Sequence, residues 1–141
     1  MCGIAGLYRP RGRVDLQTVR SMIDTLRHRG PDDAGVELLA NGQVALGHRR
    51  LSILDLSPLG HQPMAHPSGR LWATYNGEIY NFREVRAELA AAGDTFRSES
   101  DTEVILAAYR RWGRDCLQRF RGMFALALWD VEQESLVLVR D

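Results

Sequence analysis

The chain has 141 residues, 45% of them hydrophobic and 26% charged, which is typical of a single soluble globular domain. Its 18 basic residues, all arginine, equal its 18 acidic residues, and this balance gives no electrostatic reason to expect nucleic acid or an anionic membrane as partner. No apolar run approaches the roughly 20 residues that span a bilayer, and two cysteines make no disulfide framework. We therefore expect a cytoplasmic protein with reduced thiols.

Hydrophobic spacing and turn residues predict an α+β fold with antiparallel sheet and helices outside it. In chain order the predicted elements are a strand at 2–8, a helix at 15–27, strands at 34–39 and 43–48, a loop at 57–69, a strand at 71–75, helices at 81–93 and 100–112, and strands at 123–129 and 135–139. Asn41-Gly42 is typical of a two-residue hairpin turn. Asn81 with Glu84, and Ser100 with Glu103, have the spacing of helix capping boxes.

Cys2 is the first candidate for chemistry. Removal of Met1, which occurs when a small residue follows it, would place a thiol and a free α-amine on one residue. A thiol is a strong nucleophile only after it loses its proton. An α-amine has a pKa of about 8 and a free thiol has a pKa of about 8.5, so the two groups are well matched for proton exchange near neutral pH. The alternative is a cysteine buried as a small hydrophobic residue in the first strand.

Three further groups of polar residues suit the binding of an amino acid. Arg50, at the end of a predicted strand, can offer its planar fork to a carboxylate, unless it is only an exposed surface residue. The Asn76 amide and the Gly77 N–H could point at an oxyanion, although Asn-Gly after a strand is usually a turn. Glu78 with Asp101 could bind an ammonium; alternatively Asp101 only interacts with a helix dipole. Together with Cys2, these residues suit a free amino acid with a side-chain amide.

Six segments carry a resemblance to a known family. They are Met-Cys-Gly-Ile-Ala-Gly at 1–6, Arg-His-Arg-Gly-Pro-Asp at 27–32, Gly-His-Arg-Arg-Leu-Ser-Ile at 47–53, Tyr-Asn-Gly-Glu-Ile-Tyr-Asn at 75–81, Ser-Asp-Thr-Glu-Val-Ile-Leu at 100–106 and Arg-Gly-Met-Phe-Ala at 121–125. In this order they resemble the glutaminase domain of glutamine-hydrolysing asparagine synthetases, which are class II glutamine amidotransferases. The segments at 27–32 and 75–81 favour this group over the related domains of glucosamine-phosphate synthase and amidophosphoribosyltransferase.

The resemblance implies an N-terminal-nucleophile αββα sandwich that hydrolyses glutamine through a γ-glutamyl thioester on the cysteine. The implied roles are the nucleophile at Cys2, oxyanion donors at Asn76 and Gly77, the carboxylate ligand at Arg50, backbone contacts at Leu51 and Ile53, ammonium ligands at Glu78 and Asp101, and a supporting residue at Arg29. If Met1 stays in place, the Cys2 nitrogen is an amide and cannot act as the base.

The family also implies a partner domain. Its members continue into a synthetase domain that activates aspartate with ATP, and residues 1–141 contain no pyrophosphate loop of the Ser-Gly-Gly-x-Asp-Ser type. Because the chain ends at Asp141, directly after an apolar strand, we expect residues 1–141 to be a C-terminally truncated amidotransferase domain. It would need no cofactor itself, whereas ATP and Mg would serve only the synthetase domain in cis. A homodimer is left open.

Two alternatives come from other classes of protein. One is a catalytically silent sandwich module that only docks on a partner domain. The other is a metal site built on Cys2 and the histidines, but none of them has the close spacing of a structural zinc site, so we expect no metal. The identity of the ammonia acceptor, aspartate or another carboxylate, also stays open.

Overall fold

The computed structural model describes all 141 residues. In chain order its strands and α-helices are β1 (Gly3–Tyr8), α1 (Leu16–Thr25), β2 (Asp33–Leu39), β3 (Val44–Arg50), β4 (Met64–Ala65), β5 (Leu71–Ile79), α2 (Phe82–Ala91), α3 (Asp101–Trp112), β6 (Gly122–Asp130) and β7 (Ser135–Arg140). None of the helices combines the length and the apolar character needed to cross a membrane.

The strands form two antiparallel sheets that face each other. The first sheet has the order β1-β3-β2 and the second has the order β4-β5-β6-β7. Helix α1 packs on the outer face of the first sheet, while α2 and α3 pack on the outer face of the second. This four-layer arrangement confirms the predicted αββα sandwich.

Helix α1 shows how the sequence forms the first outer layer. The Asp15 carboxylate accepts hydrogen bonds from the backbone N–H groups of Gln17 and Thr18, which caps the helix N-terminus. Val19 and Ile23 then lie one turn apart on the buried face. They pack directly on Gly47 of β3, where any Cβ would crowd the Ile23 side chain.

The main hydrophobic core lies between the second sheet and its helices. It contains 18 buried residues, among which Leu71, Ile79, Leu89, Leu106 and Leu128 are fully inaccessible to solvent. Every residue of α3 from position 101 to 109 is buried, so this helix is central to the domain. The N-terminus of α3 is consequently held firmly against β5.

The predicted hairpin turn is wrong in its length. Leu39 pairs with Val44, so four residues rather than two connect β2 to β3. Ala40, Asn41 and Gly42 all have positive φ angles, of 51°, 53° and 93°. Three successive left-handed residues widen the turn beyond the two-residue type that Asn-Gly alone suggests.

The predicted end of the strand at Tyr75 is also wrong. β5 continues to Ile79 and pairs with β6 along its whole length, so Asn76 and Gly77 belong to a strand and not to a turn. Gly77 is required there because a Cβ would overlap the carbonyl oxygen of Met123 on β6. The glycine therefore permits a close approach between β5 and β6.

The two predicted capping boxes differ from the observed caps. Asn81 caps nothing, because its side chain accepts from the Arg121 N–H and donates to the Arg119 carbonyl. Ser100 does cap α3 through the Thr102 N–H. The Glu103 carboxylate, however, accepts hydrogen bonds from the backbone N–H groups of Arg97 and Ser98 and not from that of Ser100.

The core makes a direct prediction about stability. We expect Leu106→Ala to lower the free energy of unfolding by about 2–5 kcal/mol, because Leu106 is 0% exposed and its truncation leaves a cavity. The matched control Leu56→Ala removes a side chain that is 79% exposed and should change stability by no more than about 0.5 kcal/mol. Urea unfolding followed by circular dichroism would measure both, and equal losses would contradict this core assignment.

Candidate active site

A cleft of about 240 Å³ opens where the start of β1, the end of β3, the middle of β5 and the start of α3 meet. It is smaller than the roughly 300–1,000 Å³ of sites for drug-sized ligands, and it therefore suits a single amino acid. All eight residues predicted to act in catalysis or substrate binding line it: Cys2, Arg50, Leu51, Ile53, Asn76, Gly77, Glu78 and Asp101. Residues that are up to 99 positions apart in the sequence thus line the same cleft.

Cys2 lies half-buried directly before β1. The Leu51 N–H donates to Cys2 Sγ at 3.3 Å, and Sγ lies 3.6 Å from the Leu51 carbonyl oxygen, to which it can donate. An N–H that points at the sulfur stabilises the negative charge of a thiolate. Arg29 does not line the cleft, but its Nε donates to the Cys2 carbonyl at 2.8 Å and anchors the backbone of Cys2.

Arg50 is not the exposed surface residue that the sequence left open as an alternative. It is only 7% exposed, and its guanidinium lies over Gly60, where a Cβ would overlap Nη2. Nη1 donates to the Ser57 carbonyl at 2.9 Å and Nη2 donates to the Asp55 carbonyl. Since a guanidinium has five N–H donors, it keeps donors for a carboxylate in the cleft.

The neighbouring Arg49 points the opposite way, as alternation along a strand requires. Its Nε donates to the Ile23 carbonyl at 3.2 Å, and its guanidinium forms an ion pair with Asp24 of α1. Of the two adjacent arginines, only Arg50 faces the cleft.

The free edge of β5 supplies the backbone donor of the site. The N–H and C=O of Phe124 on β6 both bond to Asp141, away from β5, so Phe124 and its partner Gly77 form a non-hydrogen-bonded pair. The Gly77 N–H therefore points away from β6. No strand covers that edge at Gly77, because β4 pairs with β5 only at Ala73 and Trp72.

Asn76 and Glu78 lie on the other face of β5 from Tyr75. Side chains alternate along a strand, so they share the face of Thr74, whose hydroxyl donates to Gly47 of the first sheet at 3.1 Å. Both therefore face the sheet that begins beside Cys2. Asn76 is half-buried and Glu78 is exposed, and neither side chain hydrogen-bonds to the protein. They are free to contact a ligand.

Asp101 is the first residue of α3 and is only 5% exposed. Its Oδ2 accepts from the Tyr75 hydroxyl at 2.8 Å and from the Ile79 N–H at 3.2 Å. Burial raises the pKa of the Asp101 carboxyl above its ordinary value, although these donors oppose the shift. An ammonium placed beside it would favour the ionised form.

Sequence reasoning missed the residues that hold this wall together. Gln62 accepts the Tyr75 N–H at 2.7 Å and donates to the Thr102 hydroxyl at 3.1 Å, so it joins β5 to α3. Asp55 accepts from the Glu99 N–H at 3.0 Å and ties the loop after β3 to the segment before α3. Gln62 lies in a predicted loop without a local pattern. Tyr75 stood in a recognised motif but was assigned only to a strand.

Comparison with known proteins places this geometry in context. The family model described as "Glutamine amidotransferase domain" matches residues 1–141. The chain is 41% identical to Asparagine synthetase [glutamine-hydrolyzing] 3 of Bacillus subtilis, an alignment that covers 100% of this chain and 23% of that protein. It is 39% identical to Amidase chry2 of Gibberella zeae, covering 89% of this chain and 19% of that protein. The chain thus spans less than a quarter of the length of these relatives.

A solved structure shows the same fold. Glutamine phosphoribosylpyrophosphate amidotransferase from B. subtilis, complexed with ADP and GMP, superposes with a TM-score of 0.79 over 98% of this chain and 37% of that one. At 21% identity this likeness concerns the fold alone, which is the αββα sandwich. Since the family model covers every residue from the first to the last, the chain belongs to the glutamine amidotransferase domain family.

Proposed function

We propose that Cys2 hydrolyses glutamine to glutamate and ammonia through a γ-glutamyl thioester. The observation that carries this proposal is the composition of one small cleft. The Cys2 thiol and the uncovered Gly77 N–H line this cleft together with Arg50 and Asp101. No observation favours the docking-only alternative.

The first half-reaction needs only groups present in the cleft once Met1 has been removed. Met1 itself lines the cleft, so its removal also frees space. A proton moves from Cys2 Sγ to the α-amine, and the thiolate attacks the side-chain amide carbon of glutamine. The Asn76 amide and the Gly77 N–H stabilise the resulting oxyanion. The C–N bond then breaks, and the α-ammonium donates its proton to the departing ammonia.

The second half-reaction regenerates the thiol. A water molecule gives a proton to the α-amine and adds to the thioester carbonyl, which forms a second oxyanion at the same donors. The C–S bond breaks, the proton returns to sulfur, and glutamate leaves. The Leu51 N–H stabilises the sulfur as the leaving group.

The substrate is recognised by charges placed on both sides of its α-carbon. Arg50 binds the α-carboxylate with the donors that Asp55 and Ser57 leave free. Glu78 and Asp101 bind the α-ammonium, while Leu51 and Ile53 contribute their backbone. Arg29 supports Cys2 through the hydrogen bond that its Nε donates to the Cys2 carbonyl.

The ammonia serves an amidation by a synthetase domain in cis. Several relatives at 38–41% identity are named glutamine-hydrolysing asparagine synthetases, which supports aspartate as acceptor. Amidase chry2, at 39% identity, is not named an asparagine synthetase. A carboxylate other than aspartate is therefore the second candidate acceptor. ATP and Mg belong to that further domain and not to this one. We place the reaction in the cytoplasm, without a nucleic-acid or membrane partner.

The direct test is an intact-mass measurement before and after incubation with a glutamine-analogue diazoketone that alkylates thiols. We expect loss of Met1 and a single adduct on Cys2, together with release of ammonia from glutamine. Chains that retain Met1 should form no adduct and release no ammonia. A processed chain that neither reacts nor hydrolyses glutamine would overturn the proposal.

Cys2→Ala should abolish adduct formation and ammonia release while leaving glutamine affinity measurable by calorimetry. Alanine is also small, so Met1 is removed from this variant as well. The matched control is Cys116→Ala, because burial raises the pKa of the Cys116 thiol to about 12 and keeps it protonated. The Cys116→Ala variant should still form one adduct. Loss of the adduct in Cys116→Ala, with the adduct retained in Cys2→Ala, would contradict the assignment of Cys2 as the nucleophile.

Arg50→Ala should raise the KM for glutamine by roughly 10- to 100-fold, since hydrogen bonds to charged groups contribute about 1.5–3 kcal/mol. Steady-state kinetics would show this with a smaller change in kcat. Arg49→Ala is the matched control and should leave KM unchanged, because Arg49 faces α1. If both variants had the parent's KM, the carboxylate assignment would be wrong.

Asn76→Ala should lower kcat by roughly a hundredfold or more, because it removes an oxyanion donor. The KM for glutamine should change little, since this interaction strengthens only in the transition state. Equal losses in kcat and in ground-state affinity would point instead to a substrate-binding role.

A further inference from the structure

Tyr75 is held at three separate points. Its N–H donates to Gln62 Oε1 at 2.7 Å, and its carbonyl accepts from His48 Nε2 at 3.0 Å. Burial lowers the pKa of His48 to about 4, so the imidazole is neutral and Nε2 carries the proton that the carbonyl accepts. The third point is the hydroxyl, which donates to Asp101 Oδ2 at 2.8 Å. A side chain that is 3% exposed and fixed at both ends can hold its partner in one position.

The two oxygens of Asp101 have different environments. Oδ2 accepts the two hydrogen bonds that come from β5, from the Tyr75 hydroxyl and the Ile79 N–H. Oδ1 accepts no hydrogen bond from outside the first turn of α3. It is not a buried atom without a partner, and Asp101 lines the cleft, so solvent in the cleft reaches Oδ1. The bonds on one oxygen thus orient the other toward the ligand space.

Glu78 cannot impose the same selectivity. It is exposed and makes no hydrogen bond, so its charge is screened by water and its side chain must be ordered when a ligand binds. Asp101 is already ordered and largely desolvated, and electrostatic interactions are stronger in such surroundings. Discrimination for a positive charge therefore depends mainly on Asp101.

We propose that Tyr75 is the positioning residue that makes the cleft selective for a free α-ammonium group, because its hydroxyl holds Asp101 with Oδ1 facing the ligand. This inference rests on the proposed function, in which Asp101 binds the ammonium of glutamine. Tyr75 itself exchanges no proton during the reaction. Burial raises the pKa of its phenol far above the ordinary value, so the hydroxyl remains a donor.

The test compares two ligands that differ only in the α-amine: glutamine and 4-carbamoylbutanoate, which lacks it. Calorimetry on the Cys2→Ala background measures the affinity for each without turnover. We expect Tyr75→Phe to weaken glutamine binding about tenfold, as for a hydrogen bond to a charged group, and 4-carbamoylbutanoate binding by less than about twofold. With Cys2 present, KM for glutamine should rise and kcat should stay near the parent's.

Tyr80→Phe is the matched control, since this exposed tyrosine of the same segment makes no side-chain hydrogen bond. It should keep the parent's preference for glutamine. Asp101→Asn should remove that preference, and adding Tyr75→Phe to it should cause no further loss of preference.

Equal weakening of both ligands by Tyr75→Phe would mean a general structural role and would overturn the inference. An unchanged preference in Tyr75→Phe, with a lost preference in Asp101→Asn, would overturn it while leaving the proposed function intact. An unchanged preference in both variants would overturn the inference and the assignment of Asp101 together. Failure of the proposed hydrolysis is detected separately, by the absence of ammonia release from the processed parent chain.

Discussion

The site depends on one uncovered sheet edge. β4 pairs with only two residues of β5, so the alternate N–H groups of Tyr75, Gly77 and Ile79 have no strand partner on that side. Unpaired backbone donors in a half-buried place need other acceptors. Gln62 accepts the first and Asp101 accepts the third. The middle one, at Gly77, is left without a strand partner, which puts the proposed oxyanion site between two ordered contacts.

The same contacts join elements that are distant in sequence. Side chains from the loop before β4 and from the start of α3 reach β5, and Thr74 joins β5 to the first sheet. Cys2 belongs to that first sheet through β1, and it is held by Leu51 and Arg29. The proposed nucleophile and the proposed oxyanion donor therefore lie on opposite sheets of the sandwich, and packing between the sheets determines the distance between them. The proposed selectivity is electrostatic, because a chain of zero net charge gathers one guanidinium and three carboxylates, those of Asp55, Glu78 and Asp101, in one cleft.

Much of the fold and of the site was predictable from local patterns. Helical spacing located α1, α2 and α3. The six motifs contained all eight residues that were predicted to act in catalysis or substrate binding and that line the cleft. The errors share a physical origin. Asn41-Gly42 and Asn76-Gly77 are the same dipeptide, yet the first lies in a four-residue turn and the second lies inside a strand. Local sequence cannot distinguish them, because pairing with β6 decides the second case.

By itself the sequence determined the chemistry that is available: a thiol at position 2, an arginine at the end of a strand, and carboxylates at 78 and 101. It also determined the family, since six motifs occur in order along the chain. Only the tertiary structure decided which of Arg49 and Arg50 faces the cleft, and that Gly77 keeps its N–H free. It also revealed the contacts that Gln62 and Tyr75 make. These depend on strand register and on contacts between residues 13 to 40 positions apart, which periodicity along the chain does not encode.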